Sequence, residues 1–491
     1  MSKISRRKFI STAGATAASA MILHGCTTST QTTQTPASPE ATPASPTGTP
    51  GPVAAGDAPE VTTAKLGFIA LTDSAPLIIA KEKGMFAKYG MPDVEVTKQA
   101  SWGTTRDNLV LGSAGGGIDG AHILTPMPYL ISNGTVTGGT KLPMYILARL
   151  NVNGQGIQLS NEYRDLQIGL DSTPLKAAFE AKKATNPEIK CAMTFPGGTH
   201  DMWIRYWLAA GGINPDVDVS TIVVPPAQMV ANVKVGAMES FCVGEPWPLQ
   251  TINQDVGYNA LTTGELWKNH PEKAFGMRAD WVDQNPKAAK ALLMAVLEAQ
   301  QWCDADENKE EMCQIVSGRE WFKVPVEDII DRSKGIYEMG LRTIPEAEGR
   351  ELMQKYWRDN ASYPFKSHDL WFLTENIRWG YLPPDTDTKA LVDAVNREDL
   401  WQEAAKAIGQ EAAIPASTSR GIETFFDGVK FDPENPTEYL SALAIKKNLA
   451  KKNSGQLKSD FPEKSDLSAT SARQNQMQVV NSTPDLFFIQ T

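Results

Sequence analysis

Cysteine is scarce. The 491 residues hold only Cys26, Cys191, Cys242, Cys303 and Cys313, and no two are spaced as C-x-x-C, which argues against dithiol redox chemistry or a cysteine metal knuckle. Cys191 and Cys242 lie in apolar runs and read as buried thiols, whereas Cys303 and Cys313 are placed so that they could pair in an oxidising compartment. Excess positive charge is missing too. The formal charge is -10, and four cations fall in the first ten residues, leaving -14 for residues 27–491. So acidic a body is unsuited to nucleic acid or to an anionic lipid surface. Beyond the N-terminus there is no long apolar run, hence no candidate membrane span. Catalytic signatures are also lacking: no G-x-S-x-G elbow, H-E-x-x-H helix, EF-hand loop or Walker loop, and only five histidines. The glycine run Gly112–Gly117 has no lysine after it and reads as a flexible turn. No enzyme activity, cofactor or metal is expected.

What is present begins at the first residue. Lys3, Arg6, Arg7 and Lys8 precede a small, apolar stretch from Ser11 to Leu23, which ends in Leu23-His24-Gly25-Cys26. This is a charged region, an apolar region and a small residue before a cut, as in an export signal. The paired arginines look like a twin-arginine signal, and Leu23-Gly25-Cys26 looks like a lipobox, with His24 an unusual occupant. The apolar run is short of the ~20 residues a span needs. Residues 1–26 are therefore read as a lipoprotein signal with lipidation at Cys26. Residues 27–60 are rich in Thr, Pro, Ser, Ala and Gly, hold no Ile, Leu, Phe, Tyr or Trp, and predict a disordered tether.

From Val61 the pattern alternates. Strands are predicted near residues 65–70, 94–96, 119–122, 144–148, 189–195, 220–224 and 241–244, with helices between them, including Ala75–Lys88 and His200–Ala210. The alternation predicts an α/β fold with largely parallel sheets. After Arg278 the chain reads as mostly helical, at 285–303, 326–339, 344–358 and 388–395, with a polar tail from Asn453 that ends in Leu486-Phe487-Phe488-Ile489.

Open α/β sheets place ligands in loops beyond their strand ends. Three loops stand out: Ala100–Thr105, Pro196–His200 and Gly244–Trp247. Each opens a helix, and helix N-termini offer free N–H groups that suit an anion.

Together with Gly67–Pro76, the Trp102 loop, Pro196–Trp207 and Asn269–Lys273, these segments make the chain resemble the nitrate- and bicarbonate-binding lipoproteins of cyanobacterial ATP-driven uptake systems, the nitrate branch most of all. The resemblance covers most of the chain. It implies a two-lobed, hinged binding protein of the periplasmic type II kind, with lobe I at 61–160 plus 265–491, lobe II at 161–264, and a mostly helical C-terminal extension. It implies ligand residues at Trp102, Gln155, His200, Gly244 and Lys273. It also implies nitrate and nitrite as ligands, a membrane permease with cytoplasmic ATPase subunits as partner, and a place on the outer, periplasmic face of the cytoplasmic membrane. Nitrate only accepts hydrogen bonds, and the five positions offer donors: an indole N–H, an amide, an imidazole N–H, a backbone N–H and an ammonium. The alternatives are a bicarbonate receptor, whose relatives use an acidic residue and calcium where this chain has Lys273, or a sulfonate-type anion-binding protein with a larger pocket.

Overall fold

A computed structural model describes residues 58–447. The signal, Cys26, nearly all of the tether and the apolar C-terminal finish lie outside the described residues. Two five-stranded sheets organise the chain, in the orders β2-β1-β3-β10-β4 and β7-β6-β8-β5-β9. The first contains β1 (Thr63–Phe68), β2 (Asp93–Lys98), β3 (Gly120–Leu124), β4 (Met144–Val152) and β10 (Pro271–Arg278). The second contains β5 (Gln155–Ser160), β6 (Lys190–Met193), β7 (Ser220–Val223), β8 (Ser240–Gly244) and β9 (Gly257–Thr262). In each sheet three strands run parallel, β1 with β2 and β3, and β6 with β7 and β8. The strand next to them runs against both its neighbours: β10 between β3 and β4, and β5 between β8 and β9. These antiparallel strands are the ones that receive the chain from the other sheet. The two lobes are thus joined at residues 153–154 and again across 263–270.

The handover comes earlier than the expected break at residue 160, because β5 already belongs to the second sheet. Continuous burial hid β5, β9 and β10 from the sequence reading: every residue of β9 is buried and β10 is exposed only towards its end, so no alternation marks them.

Apolar faces explain the layers. Pro286 starts the helix Pro286–Asp304, and Ala288, Leu292, Ala295, Val296, Ala299 and Cys303 form one stripe at helical spacing against the first sheet. Glycines break two helices that the sequence predicted as continuous. Gly84, at φ +67°, ends Ala75–Glu82 and begins Met85–Lys88. Gly335, at φ +81°, stops the predicted 326–339 helix after Ile330–Ser333. The predicted 344–358 helix spans only Glu346–Leu352.

The C-terminal extension does not stay with one lobe. The helix Lys366–Arg378 presents Asp369 to Arg149 of β4, a fully buried ion pair. The same helix stacks Trp371 on Trp203 of the second lobe, ring centroids 5.0 Å apart, and Asn376 Nδ2 donates to Gly197 O at 3.2 Å. Phe425, Phe431 and Tyr439 extend that aromatic layer. The four cysteines within the described residues are free and buried, Cys303 and Cys313 among them. No helix of the described residues is long and apolar enough to cross a membrane.

Candidate functional site

Strand ends and the loops beyond them bring one set of polar side chains together between the sheets. After β1 the chain makes a single 3₁₀ turn, Thr72–Ser74, and buries Asp73 completely. His122 comes from β3, and Glu272 and Lys273 from β10. Neighbours on a flat strand point to opposite faces. Here the β10–β4 register shifts on both sides of Lys273, and this irregularity lets Lys273 Nζ reach the carboxylate of its own neighbour, 2.9 Å from Glu272 Oε1. From the other lobe come Gln155, the first residue of β5, and Gly244, which faces it in register at the end of β8. His200 sits in the first turn of the helix Thr199–Ala210, and Trp102 opens the helix Trp102–Leu111.

Asp73 is the centre of the cluster. Its Oδ1 lies 2.5 Å from His122 Nε2, and its Oδ2 lies 2.7 Å from Lys273 Nζ and 3.1 Å from Gln155 Nε2. Gln155 Oε1 in turn lies 2.7 Å from His200 Nε2, and His200 Nδ1 lies 2.5 Å from Thr194 Oγ1. The amide oxygen of Gln155 can only accept, so His200 carries its proton on Nε2 and receives the Thr194 hydroxyl on Nδ1. Lys273 Nζ also stands 5.9 Å from the centroid of the Trp102 ring, which lies 5.3 Å from the His122 ring. Trp102 Nε1 is buried and has no hydrogen-bond partner, and neither does Thr125 Oγ1. A buried donor without a partner calls for an explanation, and a bound acceptor would supply one.

Charge in the cluster follows from burial and pairing. Burial alone would raise the Asp73 carboxyl, but Lys273 and His122 outweigh it and hold the group well below the usual range. Burial works against the Lys273 ammonium as well, yet Asp73 and Glu272 keep it raised and charged. Glu272 is raised, because burial exceeds what Lys273, Thr199 and Trp203 return. Burial, with Lys273 nearby, lowers His200 well below its ordinary value, and burial lowers His122 despite Asp73.

All five residues expected at the site are therefore in or beside this cluster. Gly244 is required by close approach: a Cβ there would stand 2.5 Å from Gln155 Oε1 and 3.3 Å from Asp73 Oδ2. At each of the three helix starts expected to receive an anion, one backbone N–H at or beside the first turn is taken by a side chain of the same segment. Ser101 Oγ accepts Thr104 N–H, Asp201 accepts Gly197 N–H, and Glu245 Oε2 accepts Leu249 N–H. The sequence reading passed over Asp73, Glu272 and His122. Asp73 and Glu272 stand inside segments it singled out, and nothing in the sequence marked His122.

Further contacts hold the lobes against each other here. Thr72 N–H donates to Glu245 O at 2.8 Å, and Trp247 Nε1 to Ala70 O at 3.2 Å. Glu245 is buried 3.2 Å from Arg332, and burial raises its carboxyl to about 7. Beside these contacts an open groove of about 390 Å³ runs between Ile69, Lys98 and Gln99 of one lobe and Pro226 and Ala227 of the other.

Comparison with known proteins agrees with this architecture. A model of the NMT1-like family matches residues 57–317. The nitrate/nitrite binding protein NrtA of Synechocystis sp. is 74% identical over 447 residues, 91% of this chain and 98% of its own length. The bicarbonate-binding protein CmpA of a Synechococcus sp. is 47% identical over 90% of this chain and 98% of its own. The nitrate import ATP-binding protein NrtC of Synechocystis sp. is 32% identical over 80% of this chain and 57% of its own. The crystal structure of the periplasmic nitrate-binding protein NrtA from Synechocystis superposes with a TM-score of 0.77 at 78% identity, covering 79% of this chain and all of that one.

Proposed function

The chain belongs to the NMT1-like family, and on that premise we propose that it is a substrate-binding protein that captures nitrate, and nitrite, between its two lobes. It hands the anion to a membrane permease driven by cytoplasmic ATPase subunits and catalyses no reaction. The observation that carries this reading is the buried cluster at the lobe junction: Lys273 supplies an ammonium, Gln155 and His200 supply N–H donors, and Trp102 Nε1 has no protein partner. Each of these groups is a donor, as an acceptor-only anion requires, and Lys273, Gln155 and His200 turn from their present acceptors to meet it. Trp102, Gln155, His200 and Lys273 bind the anion, and Gly244 leaves room for them.

Bicarbonate is the second reading. The higher identity to NrtA, 74% against 47% for CmpA, favours nitrate, and so does a cation at position 273. Calorimetric titration with nitrate, nitrite and bicarbonate, the last with and without calcium, tests the assignment. Nitrate is expected to bind more tightly than bicarbonate, and at 100 times its Kd to stabilise the fold by about 2.7 kcal/mol. Tighter binding of bicarbonate would overturn the assignment.

Residues 1–26 serve as the export signal, a lipid on Cys26 holds the protein to the outer face of the cytoplasmic membrane, and residues up to about 60 tether the folded body. A mature N-terminus at a residue other than a lipidated Cys26, read by mass spectrometry, would refute the anchor.

A further inference from the structure

Resting on the nitrate reading, we infer that the cluster takes up one proton when it captures its anion, and that Glu272 is the group that receives it. Lys273 is the one cation within the cluster, and its Nζ lies 2.7 Å from Asp73 and 2.9 Å from Glu272. Two carboxylates against one ammonium leave a net negative charge at the junction before any ligand arrives. All three side chains are buried. A nitrate brought in beside them adds a second uncompensated negative charge away from water, where unpaired charge is expensive. Either the anion is refused or the site gains a positive charge.

Three kinds of group could gain it. The histidines are poor candidates, since His200 has both ring nitrogens engaged with Gln155 and Thr194, and His122 has Nε2 on Asp73 and Nδ1 facing Ile69 N–H. Asp73 receives three donors and is held ionised by them. Glu272 is left. The charged and titratable groups facing it are Lys273, His200 Nε2 at 3.5 Å and His270 Nδ1 at 3.7 Å, with Asp73 beyond the lysine and the thiol of Cys242 nearby. Its ordinary value is already shifted upward by burial, whereas those of all three histidines are shifted downward.

Geometry supplies a place for the proton. Oε2 of Glu272 accepts from Trp203 Nε1 at 2.8 Å, and an indole nitrogen can only donate, so that lone pair cannot carry a proton. Oε1 accepts from the hydroxyl of Thr199 and from Lys273. A hydroxyl can turn from donor to acceptor. A proton placed on Oε1 is met by Thr199 turning from donor to acceptor, and Lys273 gives up Glu272 while keeping Asp73. The ammonium is then available to the anion. Glu272 acts as a positioning residue that senses charge, and it need not touch the ligand.

The test titrates the detergent-solubilised full chain with nitrate between pH 5.5 and 8.5, in pairs of buffers that differ in ionisation enthalpy. Proton uptake should approach one per nitrate at pH values where Glu272 is ionised in the free protein. Where uptake reaches one, affinity should fall about tenfold per pH unit, as linkage requires. Nitrate-induced infrared difference spectra should show a new protonated-carboxyl band. Glu272→Gln should bind nitrate with an affinity that no longer changes with pH, with no proton uptake and no such band. Nitrate binding without proton uptake or band at every pH would overturn the inference and leave the nitrate assignment standing, as would a Glu272→Gln protein that takes up protons like wild type. Failure of wild type to bind nitrate at all would overturn both.

Discussion

Lys273 looks unremarkable in the sequence, a lysine two residues after a proline, and only the family resemblance singled it out. In the structure it is fully buried between two carboxylates. This changes what its removal should do. Lys273→Ala deletes a charged donor worth roughly 1.5–3 kcal/mol to the anion, so nitrate affinity should fall about 10- to 100-fold. It also strands Asp73 and Glu272, and breaking a buried pair costs about 3–5 kcal/mol. Urea denaturation should register that loss, and adding Glu272→Gln should recover part of the stability while leaving nitrate affinity low. Lys273→Ala that is as stable as wild type and binds nitrate as well would show that the ammonium serves neither purpose. The other donors at the site were legible because Trp102 and His200 stand at loop-to-helix junctions. Asp73 was not, since an acid within an anion site contradicts the simplest charge argument until its three donors are seen.

At the level of elements, strands with parallel neighbours were readable as short apolar runs between helices. The strands that cross between lobes were not. Nor was the helix Lys366–Arg378, K-S-H-D-L-W-F-L-T-E-N-I-R, since every residue from Ser367 on is buried except the half-exposed Leu370, and polar residues are spread around all its faces. Amphipathic periodicity needs a solvent face, and a helix wedged between two lobes has almost none. Its two carboxylates are instead matched inside: Asp369 to Arg149 and Asn396, and Glu375 to Arg378, Trp379 and Tyr439. Trp371 is the apolar anchor, stacked on Trp203 and set edgewise to Trp267 at 5.2 Å. Trp371→Ala should cost about 3–5 kcal/mol, as for other buried tryptophans. Nitrate affinity should change little, because Trp371 makes no contact with the Asp73–Lys273 cluster. A loss under about 1 kcal/mol in urea denaturation would mean the aromatic layer closes over the gap at little cost.

For the molecule as a whole, buried titratable groups of two kinds set the response to acid. His122, His200, His270 and His368 are lowered by burial, to about 3 for His270 and His368. The unfolded chain protonates them near pH ~6.5, so their share of stability is whole above that and is lost as pH falls. Glu245, Glu272 and Asp369 are raised by burial, Glu245 to about 7. Their share is whole below the unfolded value of ~4 and is lost as pH rises, the opposite sign. The two sets oppose each other between pH ~4.5 and ~6.5; below that the histidines still respond, together with Asp73 and the other lowered carboxylates, the buried Glu423 among them. Calorimetric melting should therefore show a nearly flat Tm from pH 7 to about 5 and a steep fall below about 4.5. A steady decline from pH 7 downward would mean the three acids are ionised in the fold. The Lys366–Arg378 helix bears on how the molecule moves. Two crossing segments alone would let one lobe both bend and twist against the other. A third tie, fastened to β4 on one side and to the Trp203 helix on the other, removes the twist and leaves a single axis. Any opening between the lobes is then expected to have few ways to be disordered and little conformational entropy to lose on closing, which suits a ligand as small as nitrate that touches few groups.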